Sequence, residues 1–165
     1  MIGVRRCQKR LIAVALTVGV TLSAGLAAVQ TLPNFSGTWE PVSSSDPTAP
    51  GTTQTVSHTN GTLTIGHASS GDGHKFVYKT DGSENHSALE SHGSQIVSVT
   101  MVSAKGDTLT LARVDKYPDG RIRENTQVWS LDSAGNLVIE ATDGLRGDAP
   151  VTRKNVYKNR VLLKH

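Results

Sequence analysis

Residues 95–131 read QIVSVTMVSAKGDTLTLARVDKYPDGRIRENTQVWSL, and this stretch decides the fold. It contains three runs rich in Val, Thr and Leu in which apolar and polar residues alternate. Gly106-Asp107 and Pro118-Asp119-Gly120 separate the runs and are typical of tight turns. Because alternation with period two is the pattern of a β-strand with one buried face, the stretch predicts three consecutive antiparallel strands.

The same alternation of apolar and polar residues, interrupted by turn residues, continues on both sides of this stretch and predicts ten strands in all. An open meander would expose two edges, and closure into a barrel removes them. We therefore expect an all-β antiparallel meander closed into a barrel of about 8–10 strands, with a β-sandwich as the alternative. The predicted strands are Phe35–Val42, Thr52–His58, Thr62–Ala68, His74–Lys79, His86–His92, Gln95–Ala104, Thr108–Lys116, Arg121–Leu131, Asn136–Thr142 and Val151–Lys158.

The N-terminus has the pattern of a secretory signal. Basic residues within 1–10 precede residues 11–29, which read LIAVALTVGVTLSAGLAAV and carry no charge. Gly25 and Ala27 put small residues at the two positions that a signal peptidase inspects. We therefore expect a signal peptide with a hydrophobic helix over residues 1–27, cleaved to leave a single exported domain over 28–165. That domain would be periplasmic or extracellular. The alternative is an uncleaved membrane anchor over residues 11–29, which is long enough to cross a bilayer.

The charge distribution argues against nucleic-acid binding. The 165 residues contain 17 Lys and Arg and 14 Asp and Glu, but four of the basic residues precede the apolar run. From Ala28 onward 13 basic residues face 14 acidic ones, a formal net charge of −1. A phosphate-binding face needs a contiguous basic stripe, which this part of the chain lacks. The single Cys, Cys7, lies in the predicted signal, so no disulfide is expected in the mature domain.

The predicted first strand opens with Asn34-Phe35-Ser36-Gly37-Thr38-Trp39-Glu40. Its Gly-x-Trp motif resembles the start of a lipocalin-like, calycin-type barrel. The chain is also similar to small exported bacterial proteins of unknown activity that begin Phe-Ser-Gly-Thr-Trp. The resemblance implies that Gly37 and Trp39 close one end of the barrel. It also implies that a basic residue of the last strand, best matched by Arg153, lies across the indole in a cation–π contact.

The unfilled interior volume of the predicted barrel suggests a binding role. Aromatic residues make up only 4% of the chain, so an eight- to ten-strand barrel would be incompletely filled and could enclose a ligand. We expect a non-catalytic protein that binds a small apolar or amphipathic molecule and carries no cofactor. One alternative is a structural or interaction module of the cell envelope with a solid core. The expected lining residues are Val56, Leu63, Ile65, Phe76, Tyr78, Leu109, Leu111 and Trp129.

Histidines give a third hypothesis, a metal- or haem-binding barrel. Five of the six His lie in the segment from His58 to His92, and His67 and His74 flank one predicted turn. No Gly-x-Ser-x-Gly elbow is present, so nucleophilic catalysis is not expected. Three triplets would be glycan acceptors only in a eukaryotic secretory pathway, and they begin at Asn34, Asn60 and Asn85.

Overall fold

The computed structural model describes residues 32–46, 51–59, 61–67, 75–91 and 94–160. The predicted signal peptide, residues 1–27, lies outside the described residues. Within the described ranges, no helix is long and apolar enough to cross a membrane.

The described chain is all-β, which confirms the predicted fold class, and ten strands lie close to the ten predicted ones. Every pair of neighbouring strands is antiparallel. In chain order the strands are β1 Gly37–Ser44, β2 Gln54–Thr59, β3 Thr62–His67, β4 Lys75–Lys79, β5 Glu84–Ser91, β6 Ser94–Lys105, β7 Thr108–Lys116, β8 Ile122–Leu131, β9 Leu137–Leu145 and β10 Val151–Asn159.

The ten strands form one sheet in the order β4-β3-β2-β1-β10-β9-β8-β7-β6-β5. Pairing of β1 with β10 joins the two ends of the meander, and the sheet curls until β4 contacts β5 and β6. At this seam the Asn85 side chain accepts a hydrogen bond from the Lys79 amide at 2.7 Å and donates one to the Thr100 carbonyl at 3.1 Å. The protein is therefore a nearly closed barrel and not the sandwich considered as an alternative.

Tight turns fold the strands back on one another, as their residues predict. Gly82 and Gly120 have positive φ values of 84° and 85°, which L side chains rarely adopt. The preceding carboxylates, Asp81 and Asp119, accept hydrogen bonds from the amides two residues further on. These acidic residues stabilise turns, in keeping with their position in the sequence.

One end of the barrel is filled by a solid apolar core. Phe35, 0% exposed, meets Trp129 edge to face with ring centroids 6.2 Å apart. The buried Trp39 indole donates its N–H to the Phe35 carbonyl at 2.9 Å. Each such buried side chain contributes about 1.5–3 kcal/mol of transfer free energy. The core consists of Phe35, Trp39, Val56, Leu63, Ile65, Val102, Leu109, Leu111, Trp129, Leu137, Ile139 and Tyr157.

The inner face changes from apolar to charged along the barrel axis. On β7 the alternate residues Leu109, Leu111, Arg113 and Asp115 make this change within one strand. The pairing register places Leu109 opposite Trp129, Arg113 opposite Asn125, and Asp115 opposite Arg123 on β8. In this register, an apolar residue of β7 faces an apolar residue of β8 at one level of the barrel axis, and charged residues of β7 face polar or charged residues at another. The barrel therefore has an apolar floor and a polar upper half.

Candidate ligand cavity in the barrel

A cavity of about 300 Å³ occupies the polar half of the barrel. Its walls come from strands β2, β3, β4, β6, β7, β8 and β9, so its shape depends on barrel closure. The lining residues are Gln54, Ile65, His67, Phe76, Tyr78, Thr100, Leu111, Arg113, Asp115, Arg123, Asn125, Gln127, Trp129 and Asp143.

Aromatic rings form one wall of this cavity. The Phe76 and Tyr78 rings on β4 are nearly parallel, with an interplanar angle of 4° and centroids 6.4 Å apart. The His67 ring meets Phe76 edge to face at 6.1 Å. Ile65 and Trp129, both buried, continue the apolar surface towards the floor. This wall offers a flat apolar surface to a bound molecule.

A partly buried ion pair lies on the wall formed by β6 and β7. Arg113 donates from Nε to the Asp115 carboxylate at 2.6 Å, and the Ser98 hydroxyl donates to the same oxygen at 2.5 Å. Arg113 also reaches the Ser98 hydroxyl at 3.1 Å. Asp115 is only 8% exposed, so these two partners supply hydrogen bonds that water would otherwise make.

A second ion pair lies nearer the mouth of the cavity. Arg123 donates from Nε to Asp143 at 2.8 Å and from a terminal nitrogen to the other carboxylate oxygen. This two-point pairing is the main cause that lowers the pKa of Asp143 and raises that of Arg123. Both groups therefore remain charged at neutral pH. Each of the two ion pairs joins one positive and one negative side chain, so together they add no net charge to the cavity lining.

Side-chain amides link the charged mouth to the apolar floor along β8. The Trp129 indole donates to the Gln127 side-chain oxygen at 3.0 Å, and the Gln127 amide donates to Asn125 at 3.2 Å. Across the cavity, burial raises the pKa of the Tyr78 phenol, which is hydrogen-bonded to Thr100. The phenol therefore stays neutral and adds a polar group without adding charge.

Gln54 differs from these polar residues in the environment of its side-chain amide. The residue is 4% exposed and lines the cavity. Its Nε2 is buried and makes no hydrogen bond among the described residues. Leaving such a donor unsatisfied costs about 1–3 kcal/mol. Gln54 therefore brings an unsatisfied hydrogen-bond donor to the cavity wall, with the nitrogen atom itself buried beneath the surface.

The residues predicted to line a site separate into two groups. Ile65, Phe76, Tyr78, Leu111 and Trp129 line the cavity together. The other three, Val56, Leu63 and Leu109, belong to the apolar core and are not among the described residues that line the cavity.

Of the three residues predicted to close the barrel, Arg153 lies apart from Gly37 and Trp39. Gly37 and Trp39 are on β1, where Gly37 has a φ of 154° and faces the Asn159 side chain. The register places Asn159, not Arg153, opposite Trp39. Six residues of strand separate Arg153 from that position, about 20 Å at 3.3 Å per residue. Arg153 instead donates from Nε to Asp46 at 2.8 Å.

The described histidines occupy three separate environments. His58 packs on Phe35 with ring centroids 6.1 Å apart, and desolvation lowers its pKa. His67 lines the cavity, whereas His86 is exposed and pairs with Glu84 at 3.0 Å. His74 and His92 lie outside the described residues. Among the residues that the structure describes, no three His, Cys, Asp or Glu side chains are grouped closely enough to hold a metal ion.

Sequence reasoning missed most of the polar lining. The signal for these residues was present, because they occupy every second position of strands whose inner face was already recognised from apolar residues. On β9, for example, Leu137 and Ile139 lie in the core, and Asp143 two steps further along the same face lines the cavity. The missed residues are Gln54, Thr100, Arg113, Asp115, Arg123, Asn125, Gln127 and Asp143.

Searches against protein-family models and against curated proteins found no match to the chain. The resemblance to lipocalin-like barrels therefore depends on the Gly37-Thr38-Trp39 motif and on architecture. The observed architecture, a nearly closed antiparallel barrel of ten strands, is compatible with that group.

Proposed function

We propose that this protein is an exported, lipocalin-like carrier that binds one small, partly apolar molecule inside the barrel and does not catalyse its conversion. The observation that carries the proposal is the cavity of about 300 Å³ between the aromatic wall and the two ion pairs. This volume lies at the lower end of the range of small-molecule pockets, about 300–1,000 Å³. Export is proposed from the signal pattern of residues 1–27.

The walls favour binding because apolar and polar groups face the same space. Transfer of a ring onto Phe76, Ile65 and Trp129 would contribute about 25 cal/mol per Å² of apolar surface removed from water. Polar groups at the mouth would orient the other end of the molecule. Arg113 and Arg123 are engaged by carboxylates of the protein, an arrangement that suits a fixed binding surface better than proton transfer.

The test is a titration with the fluorescent apolar probe N-phenyl-1-naphthylamine. We expect saturable binding at one probe per chain. Thr100→Phe places a bulky ring inside the cavity and is expected to abolish binding, since Thr100 is 3% exposed and lines the cavity. The matched control is Met101→Phe, the next residue on β6, which is 45% exposed on the outer face and should leave binding unchanged.

Circular dichroism of each variant confirms that the barrel has formed. If Thr100→Phe does not fold, Ile65→Phe on β3 fills the same cavity, with the exposed Val77→Phe on β4 as its control. Equal binding by filled and control variants, or no binding by the unmodified chain, would contradict the carrier function. The second of these results would favour an interaction module of the cell envelope.

Export is tested independently by N-terminal sequencing of the protein isolated from its own host. A mature chain that begins at Ala28 would support signal cleavage. A chain that begins at Met1 in the membrane fraction would favour the uncleaved anchor over residues 11–29. A chain that begins at Met1 in the cytosol would contradict export.

A further inference from the structure

Gln54 is placed to recognise a bound molecule. It is the first residue of β2, paired with Trp39 on β1 and with His67 on β3. These neighbours leave the residue 4% exposed, with Nε2 unpartnered among the described residues. Gln127 provides a comparison in the same cavity, because its amide both accepts from Trp129 and donates to Asn125. Gln54 thus differs from Gln127 in having a buried amide nitrogen with no hydrogen-bond acceptor among the described residues.

The charge balance of the cavity disfavours a ligand with net charge. Arg113 pairs with Asp115 and Arg123 pairs with Asp143, so equal numbers of positive and negative groups line the site when His67 is neutral. An ionic ligand would have to break one of these pairs or remain buried without a counter-charge. Either event carries a large desolvation penalty. An uncharged ligand avoids both.

We propose that the ligand is an uncharged, flat molecule with a carbonyl or similar acceptor oxygen, towards which the Gln54 side-chain amide turns on binding so that its Nε2 donates a hydrogen bond. Its ring lies along the aromatic wall, against the parallel Phe76 and Tyr78 rings of β4. This inference rests on the proposed carrier function and adds to it the chemical class of the ligand and the residue that selects it.

The first experiment compares three probes of similar shape by isothermal titration calorimetry at pH 7. They are 2-naphthamide, which is neutral, 2-naphthoate, which is an anion, and 2-naphthylmethylammonium, which is a cation. We expect 2-naphthamide to bind at least about 10-fold more tightly than either ion, a difference of about 1.4 kcal/mol. Equal or tighter binding of either ion would overturn the inference.

The second experiment removes the donor. Gln54→Met keeps an unbranched side chain of the same length and is expected to weaken 2-naphthamide binding about 10-fold, or about 1.4 kcal/mol. The Tm of the ligand-free variant should not fall, because the change removes an unsatisfied buried donor. A purely structural glutamine would show the opposite pattern, a lower Tm with unchanged affinity. Gln95→Met, the same substitution at an exposed site on β6, is the control.

A third comparison uses the unmodified chain and so does not depend on the folding of a variant. 2-Acetonaphthone and 2-isopropenylnaphthalene have nearly the same shape, but only the ketone has an acceptor oxygen. We expect the ketone to bind about 10-fold more tightly, a difference of about 1.4 kcal/mol. If both bind equally, the inference fails and the carrier function stands. If no naphthalene probe and no N-phenyl-1-naphthylamine binds, the carrier function fails as well.

Discussion

Asp115→Asn is expected to destabilise the barrel and to change the charge preference of its cavity. The substitution keeps the shape of the side chain and removes one negative charge. It leaves Arg113, whose side chain is 27% exposed, with only neutral acceptors on this wall, the Ser98 hydroxyl and the new amide oxygen. The wall then carries one uncompensated positive charge beside the cavity.

The expected loss in the free energy of unfolding follows from how deeply the Arg113–Asp115 pair is buried. Breaking a fully buried ion pair by removing one partner costs about 3–5 kcal/mol. Because about a quarter of the Arg113 side chain reaches solvent, screening reduces this cost, and we expect a loss of about 2–3 kcal/mol. The double variant Arg113→Met/Asp115→Asn removes the uncompensated charge as well. It should be more stable than Asp115→Asn alone, by about 1–2 kcal/mol.

The assay is urea unfolding of both single variants, the double variant and the unmodified domain, analysed as a double-mutant cycle. We also expect 2-naphthoate to bind more tightly to Asp115→Asn than to the unmodified domain. A loss of less than about 0.5 kcal/mol, typical of an exposed ion pair, would refute the reasoning. It would show that the pair is solvated and that the cavity does not depend on its charge balance.

Three further perturbations test the floor, the mouth and the aromatic wall. Gly37→Ala should cost more than about 1 kcal/mol in urea unfolding, because φ is 154° and a Cβ would lie 2.7 Å from the Asn159 side chain. Gly66→Ala, with its nearest atom 3.5 Å away, is the control, and equal costs would contradict this account. Arg123 lowers the pKa of Asp143, so the free energy of unfolding should fall as pH drops below about 4, more steeply than in Asp143→Asn. If the free energy of unfolding falls equally steeply at acid pH in both proteins, the Arg123–Asp143 ion pair is contradicted. Burial raises the pKa of Tyr78, so stability should fall as pH rises above about 10, and Tyr78→Phe should reduce this fall in pH-dependent unfolding. If Tyr78→Phe loses as much stability at alkaline pH as the unmodified domain, the Tyr78 phenol is solvated.

The strands could be predicted because the alternation of apolar and polar residues and the turn residues between the runs agree with the fold along most of the chain. Alternation between Thr108 and Lys116 predicts the bounds of β7 as observed, and turn residues such as Gly120 separate the runs. The turn conformation depends on a few adjacent residues, so it can be recognised without knowledge of the tertiary structure. Barrel closure was inferred from the number of strands and from the cost of free edges.

The height of a residue along the barrel axis could not be predicted from alternation alone. Period two assigns Leu109 and Leu111 to one face but does not show that only Leu111 reaches the cavity. Height depends on the register between strands that are distant in sequence, such as β1 and β10. The same limitation applies to Arg153, because only the β1–β10 register shows that Asn159 lies opposite Trp39.

Native mass spectrometry of the protein isolated from its own host tests the central claim most directly. We predict that the unmodified chain and Met101→Phe each retain one small uncharged molecule. Thr100→Phe, whose new ring occupies the cavity, should be recovered without it. Identical spectra for the three chains, with no bound molecule in any of them, would contradict the claim that this barrel carries a ligand.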